Sequence, residues 1–199
     1  MLEGLLVDLV PYSKKFLDLE HIWRNSESAF WSSGGERYIV SRAAIRRKAE
    51  EWAEEAERLG PARPMMFGMQ TKAGTPIGFF AITWLLPHHR VGLLGVRIGD
   101  PNYWGRGYGT DALLLITEFA FDWLDLRKVW LATTSANERV MRQMDRVGFV
   151  LEARERRASL MDGVWVDGLL YGMLREEWPG REALIERLGL HPVEQGDVR

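Results

Sequence analysis

The chain has 199 residues, of which 46% are hydrophobic and 27% are charged, and its formal net charge is -2. This length and composition predict one folded domain and exclude a disordered or fibrous chain. The near-neutral charge argues against nucleic acid as the main partner, because binding to phosphates requires a clearly basic face.

The absence of cysteine excludes disulfides, thiolate metal sites and a cysteine-bound acyl intermediate. No apolar run reaches the roughly 20 residues that a membrane-spanning helix needs. The first residues, Met1-Leu2-Glu3, lack the basic start of a signal peptide. From these features we expect a cytoplasmic protein without a membrane partner.

Apolar periodicity and turn residues divide the first half of the chain into alternating elements. In chain order we predict a strand over 5–10, a helix over 14–23, a loop over 26–35 and an amphipathic helix over 41–60. Gly60-Pro61 is the predicted end of that second helix.

The second half begins with three predicted strands, over 65–71, 75–84 and 91–98, which favour an antiparallel meander. After them we predict a helix over 110–126, a strand over 128–134, a helix over 138–147, strands over 149–157 and 164–174, and a helix over 181–188. Gly148 is the predicted end of the helix over 138–147, and Gly163 marks the turn between the last two strands. No internal repeat or linker divides the chain.

The sharpest motif is YWGRGYGT, residues 103–110, which has three glycines at alternate positions between a predicted strand and a predicted helix. Glycines let a backbone approach a ligand closely, and free N–H groups at a helix start bind anions. An ordinary tight turn is the alternative. The spacing fits neither the dinucleotide fingerprint nor a P-loop. We expect Asp111 to face away from the anion and to complement the helix dipole.

Residues 98–112, which contain this motif, resemble the acetyl-CoA loop of the GNAT acetyltransferase superfamily, and the RimJ/RimL-like branch matches best. Asn137, Val147-Gly148-Phe149 and residues 162–178 resemble the same branch, so the likeness runs from about residue 5 to 178. It implies an α+β fold (α/β by some schemes), with a mixed, mostly antiparallel central sheet of about seven strands, splayed at its middle and flanked by helices. We expect the acetyltransferase domain at 1–178, and a C-terminal helical appendage and tail at 179–199.

The resemblance implies acetyl-CoA as co-substrate and no metal. The backbone of residues 105–110 would hold the pyrophosphate, and Ile98 and Gly99 would bond to the pantetheine as an added strand. Trp104 would form a packing wall for the cofactor, and Asn137 would donate to the pantetheine or, alternatively, only start a helix. The implied cofactor-binding residues are Ile98, Gly99, Trp104, Gly105, Arg106, Gly107, Tyr108, Gly109, Thr110, Asn137 and Met144.

Two acid–base positions of the family do not match here. Leu93 stands where many relatives carry a glutamate base, and Met144 stands where a tyrosine often protonates the leaving thiolate. The replacement candidates are His88, His89, Asp100 and Ser135, with Glu36 and Tyr103 as further choices. For the two histidines a solvated loop is the competing interpretation, and without further ligands they do not predict a metal site.

Without a strong base, an acceptor amine of low pKa is favoured. At pH 7 a lysine-like amine costs roughly 4.6 kcal/mol to deprotonate, whereas an α-amine costs about 1 kcal/mol. We therefore expect direct attack by a protein N-terminus or a small amino compound, with Trp23, Asn25 and Trp31 near the acceptor. The alternatives are a non-catalytic acyl-CoA sensor or interaction module and a polyamine- or aminoglycoside-type acetyltransferase. Relatives also favour a homodimer, in which the helix after Pro179 would have an assembly role.

Overall fold

The structure is a computed structural model that describes residues 1–37, 39–59 and 64–192. Its helices are α1 (Lys14–Arg24), α2 (Glu27–Ser32), α3 (Arg42–Leu59), α4 (Tyr108–Glu118), α5 (Glu138–Val147) and α6 (Arg181–Leu188). Its strands are β1 (Leu2–Glu3), β2 (Val7–Pro11), β3 (Met65–Thr71), β4 (Pro76–Leu86), β5 (Val91–Ile98), β6 (Lys128–Thr134), β7 (Val150–Met161) and β8 (Val164–Leu174). The predicted bounds of β3, β5, β6, β8, α5 and α6 are confirmed to the residue.

Within the described residues the strands form one eight-stranded sheet in the order β1-β2-β3-β4-β5-β6-β8-β7. All neighbours pair antiparallel except β5 and β6, which pair parallel. The predicted mixed, mostly antiparallel sheet is confirmed. Its eighth strand is the two-residue β1, which pairs with β2. The predicted helix stop at Gly60-Pro61 lies outside the described residues.

The loop predicted over 26–35 is wrong, because the segment contains α2. Ser26 caps this helix by accepting a hydrogen bond from the amide of Ser28 over 3.3 Å, and Phe30 is buried beneath it. Serine favours helix N-caps as well as loops, so the composition alone did not separate the two structures. The predicted helix over 110–126 is also divided, since a π-helical segment, Phe119–Trp123, follows α4.

The sheet opens between β5 and β6. The two strands pair only where residues 91–93 face residues 128–130, and they diverge toward their C-terminal ends. β4 still pairs with β5 as far as Ile98, and β8 pairs with β6 as far as Thr134. The opening is therefore confined to the one parallel pair of strands, as the predicted splay requires.

The main core lies between the sheet and α4, in which Leu113, Leu114 and Ile116 are buried. A helix with apolar residues on most of its surface is stable only when it is covered on several sides. α6 supplies part of that cover, because Leu184 is fully buried in the same core. α6 therefore packs against the core through Leu184, and the predicted division into a domain at 1–178 and an appendage at 179–199 stays a prediction. The role of α6 in a homodimer also stays a prediction.

Asp111 does not act only through the helix dipole. Its side chain is fully buried, and its Oδ2 accepts hydrogen bonds from the amides of Leu6 and Val7, over 2.7 and 3.1 Å. A guanidinium nitrogen of Arg181, the first residue of α6, lies 3.7 Å from its Oδ1. One carboxylate thus joins the start of β2, the first turn of α4 and the start of α6.

No helix in the described part of the chain is long and apolar enough to cross a membrane.

Candidate cofactor cleft and active site

A cleft of about 990 Å³ begins in the opening between β5 and β6 and continues past the start of α4. Residues from both strands line its inner end, and the glycine motif and α5 line its middle. Separated strands expose backbone N–H and C=O groups that require hydrogen-bond partners. The geometry therefore favours an extended ligand that carries amide groups.

The turn before α4 has the geometry of an anion site. Gly107 is the N-cap of α4 with φ of 87°, and Gly105 has φ of 72°, a region that few side chains tolerate. The first amides of α4, those of Tyr108, Gly109 and Thr110, have no acceptor within the helix. They lie at the positive end of the helix dipole, where a phosphate binds favourably.

Arginines surround this turn. The cleft lining contains Arg106 from the turn and Arg139, Arg142 and Arg146 from α5, and its described residues include no Asp or Glu. Arg139 lies 4.2 Å from the centre of the Trp104 ring, and burial lowers the pKa of its guanidinium. Arginine binds phosphate oxygens through paired, charge-assisted hydrogen bonds. The middle of the cleft therefore suits a ligand with several phosphates.

Backbone groups at the end of β5 are partly occupied. The indole Nε1 of Trp104 donates to the carbonyl of Ile98 over 2.9 Å, and the amide of Gly99 donates to the carbonyl of Ile77 in β4 over 2.8 Å. In a strand, the backbone N–H and C=O groups of successive residues point to opposite neighbouring strands. Since those of Gly99 point to β4, the amides of Ile98 and Val96 face the opening. Gly99 is therefore bonded to β4 and does not face the ligand, contrary to the prediction. Val96 is a lining residue that was not predicted, although it lies two residues before Ile98 and so faces the same side of the strand.

Asn137 and Met144 both line the cleft from α5. The Oδ1 of Asn137 caps the helix by accepting from the amide of Val140 over 3.4 Å. Its side-chain NH₂ has no hydrogen-bond partner in the part of the chain that the structure describes, so it is available to a ligand. The cap and the donor role are thus compatible. Met144 is 1% exposed and presents an apolar thioether where a proton donor was sought.

The structure does not bring the four acid–base candidates to the cleft. His88 and His89 lie in the turn before β5, about 23 Å of extended strand away from Ile98. Asp100 accepts from the amide of Asn102 over 2.9 Å, and the Oγ of Ser135 accepts from the amide of Asp167 over 3.0 Å. Neither side chain is among the lining residues.

Of the three predicted acceptor residues, Trp31 lines the cleft, and Trp23 and Asn25 do not. Trp23 is 4% exposed and packs on Gly99, where any Cβ would overlap its ring. Asn25 ends α1 and holds the following loop, since its Oδ1 accepts from the amide of Val40 over 2.7 Å. Both residues therefore have structural contacts: Trp23 packs against the end of β5, and Asn25 bonds to the loop at Val40.

Arg97 is the acceptor-side residue that sequence reasoning missed. It lines the cleft from β5, is 8% exposed, and donates to Glu20 over 3.0 Å and to the hydroxyl of Ser32 over 2.8 Å. Burial lowers the pKa of its guanidinium, and the Glu20 carboxylate opposes that shift. Ser28 and Ser32 of α2 line the same side. A charged residue in a mostly apolar strand was the available signal.

The cleft thus combines an opened sheet with an arginine-lined turn that suits a phosphate-bearing ligand. Residues 7–150 match the model of the Acetyltransferase (GNAT) domain, and the chain belongs to this family. Among the described residues no cluster of three or more His, Asp or Glu side chains could hold a metal ion.

One curated relative is YdaF of Bacillus subtilis (strain 168), whose name includes the words ribosomal N-acetyltransferase. It is 28% identical over 92 residues, which cover 43% of this chain and 50% of YdaF. The chain spans about half the length of the curated relatives that it matches, between 43% and 50%.

Two solved structures share the fold. Spermidine N-acetyltransferase from Vibrio cholerae, in complex with CoA and spermine, has a TM-score of 0.76 at 18% identity, and the match covers 86% of this chain and 96% of that one. RimJ from Mycobacterium smegmatis, in complex with CoA-disulfide, has a TM-score of 0.78 at 19% identity, with 94% and 92% covered. At these identities the likeness supports the fold alone.

Proposed function

We propose that the protein is an N-acetyltransferase that moves acetyl from acetyl-CoA to the α-amine of a peptide N-terminus or a small amino compound. The observation that carries the proposal is the opening between β5 and β6, which continues directly into the arginine-lined turn before α4. A cytoplasmic location fits this proposal, because acetyl-CoA and free protein N-termini meet there.

In this proposal the diphosphate of coenzyme A binds the amides at the start of α4, beside Arg106 and Arg142. The pantetheine runs along β5 and bonds to the amides of Val96 and Ile98, which face the opening. The thioester then lies within the opening, close to the unpartnered NH₂ of Asn137. The pantetheine thereby provides hydrogen-bond partners for backbone groups of β5 that a neighbouring strand would otherwise pair with.

The reaction requires little acid–base catalysis by the protein. The neutral amine nitrogen forms a bond to the acetyl carbon, the carbon–sulfur bond breaks, and the amine proton leaves with the thiolate or to water. Holding the two reactants together supplies much of the rate, because it removes the entropy cost of their encounter. N–H donors near the acetyl oxygen stabilise the tetrahedral intermediate.

None of the described residues that line the cleft near the opening is a carboxylate or a neutral base, which favours an acceptor that is already largely neutral at pH 7. An α-amine meets that condition at a cost of about 1 kcal/mol, and a lysine-like amine does not. The charge of the lining supports the same class of acceptor. A polyamine would place several ammonium groups against a lining whose described residues include five arginines and no Asp or Glu.

A panel of matched acceptors tests this proposal through the release of coenzyme A. The panel contains a lysine-free peptide with a free N-terminus, the same peptide with an acetylated N-terminus and one added lysine, and spermidine. We expect release with the first peptide only, with kcat/KM rising with pH through the α-amine pKa of about 7.7 and levelling off above it. Preference for spermidine would contradict the acceptor class. Tight binding of acetyl-CoA with no turnover on any amine would favour the non-catalytic sensor.

A further inference from the structure

We infer that residues 188–191, which follow α6, form one wall of the nucleotide half of the cofactor site. This inference rests on the proposed function, since it assigns residues to a coenzyme A site. The family match ends at residue 150, yet Leu188, Gly189, Leu190 and His191 all line the cleft. The C-terminal segment thus contributes cleft surface that lies outside the residues matched by the family model.

Leu190 lies against the glycine turn. A Cβ placed on Gly107 would be 3.4 Å from Cδ2 of Leu190 and 3.0 Å from Cδ1 of Leu6. These are close contacts, so the two leucines cover the turn from which the first α4 amides project. Apolar cover excludes water from that side of the turn, and an N–H bond to phosphate is stronger where water is excluded.

The segment is held in place by its own helix end. Gly189 has φ of 62°, its amide donates to the carbonyl of Glu186, and the amide of Leu190 donates to the carbonyl of Ile185, both over 3.1 Å. Such paired bonds end a helix and fix the direction of the chain after it. The buried Leu184, one turn earlier, ties the helix to the core.

A second set of bonds joins the segment to α5. The guanidinium of Arg187 donates to the carbonyls of Arg146 and Val147, over 3.0 Å each, and Arg146 donates to the carbonyl of Leu188 over 3.3 Å. The C-terminal end of α5, whose last carbonyls lack partners within the helix, is therefore capped by α6. This exchange also holds the Arg146 side chain at the cleft.

The place where residues 188–191 contact α5 indicates which half of coenzyme A they face. α5 begins at Glu138, just after its N-cap Asn137 beside the opening of the sheet, and its 10 residues extend about 15 Å to the end that contacts Leu188. With the thioester in the opening and the diphosphate at the α4 turn, the rest of coenzyme A reaches this far end. The ligand part that residues 188–191 contact is thus the adenosine and its phosphates.

The test measures the affinity of the full chain for coenzyme A and, separately, for adenosine 3′,5′-bisphosphate, which is the nucleotide half alone. We expect Leu190→Ala to weaken both by the same factor, about tenfold, because the contact that this partly buried leucine loses amounts to roughly two methylene equivalents. Leu190→Asp adds a negative charge beside the phosphates and is expected to weaken both further. Leu190→Met keeps the apolar contact and is expected to bind as the wild type does.

Leu160→Ala, the same change at a side chain 52% exposed on the β7–β8 hairpin, is the matched control and is expected to leave both affinities unchanged. Thermal melting of each variant separates loss of fold from loss of binding. Wild-type affinity in Leu190→Ala and Leu190→Asp would overturn this inference alone. A loss for coenzyme A without a loss for the bisphosphate would also overturn it. A wild-type chain without affinity for coenzyme A would overturn the proposed function as well.

Discussion

The indole Nε1 of Trp104 donates a hydrogen bond to the carbonyl oxygen of Ile98 over 2.9 Å. That carbonyl belongs to the last residue of β5 and faces the opening of the sheet, where β6 no longer provides a partner. Trp104 thus joins the end of the strand to the glycine turn, and its ring lies under the guanidinium of Arg139. The bond thus connects the two parts of the cleft directly.

Trp104→Phe keeps the ring under Arg139 and removes the donor to Ile98. Because a net hydrogen bond is worth about 1 kcal/mol, we expect the affinity for coenzyme A to fall about fivefold. Isothermal titration calorimetry measures it. Trp123→Phe makes the same change at a side chain that is 79% exposed and serves as the control. Equal affinity in the two variants would show that the bond does not organise the cleft.

Gly107→Ala is expected to abolish detectable binding of coenzyme A at micromolar concentrations. Its φ of 87° disfavours a side chain, and a Cβ would crowd Leu6 and Leu190, so the turn that carries the first α4 amides would have to shift. Gly74→Ala, in the β3–β4 turn with φ of 84° and no atom within 4 Å of the added Cβ, is the control for backbone strain alone. We expect each variant to lose about 1–2 kcal/mol of stability, and only the first to lose the ligand. Retained binding in Gly107→Ala would place the phosphates elsewhere.

Asp111→Ala is expected to lower the free energy of unfolding by about 3 kcal/mol, measured with urea, because it leaves the buried amides of Leu6 and Val7 without an acceptor. Asp111→Asn keeps one carbonyl oxygen and is expected to lose less. If both variants were as stable as the wild type, the carboxylate would not be what holds the N-terminal strand to α4.

Asp167 links stability to pH. Its Oδ1 accepts from the amide of Arg157 over 2.8 Å and its Oδ2 from the Nε of Arg154 over 2.6 Å; these two bonds hold the pKa of its carboxyl below its ordinary value. A carboxyl with a lowered folded pKa stabilises the fold above its unfolded pKa, and that contribution disappears as the pH falls through the folded pKa.

We therefore expect the melting temperature of the wild type to fall more steeply below pH 4 than that of Asp167→Asn, which does not titrate there. At pH 7 the variant is expected to be the less stable of the two. Melting curves between pH 2.5 and 7 provide the comparison. Parallel profiles for the two proteins would mean that the bonds to Arg157 and Arg154 do not favour the charged carboxylate.

The sequence by itself determined most of the element order, the bounds of many strands and helices, and the glycine motif before α4. These features depend on local properties, such as apolar periodicity, the missing Cβ of Gly107 and the helix-ending Gly148, which a reader of the sequence can evaluate without knowing the fold. The family resemblance depended on the same local motif. Even so, α2 was missed, because serine is common in loops and at helix starts alike.

Only the tertiary structure decided which residues share the cleft. It removed His88 and His89, which lie at the far end of β5, and it brought Arg97 and Leu190 to the lining from segments far apart in the chain. It also placed Asp111 among three separate elements. The physical reason is that a contact between distant segments depends on how strands separate and helices pack, and neither the spacing nor the chemistry of a single segment encodes that arrangement.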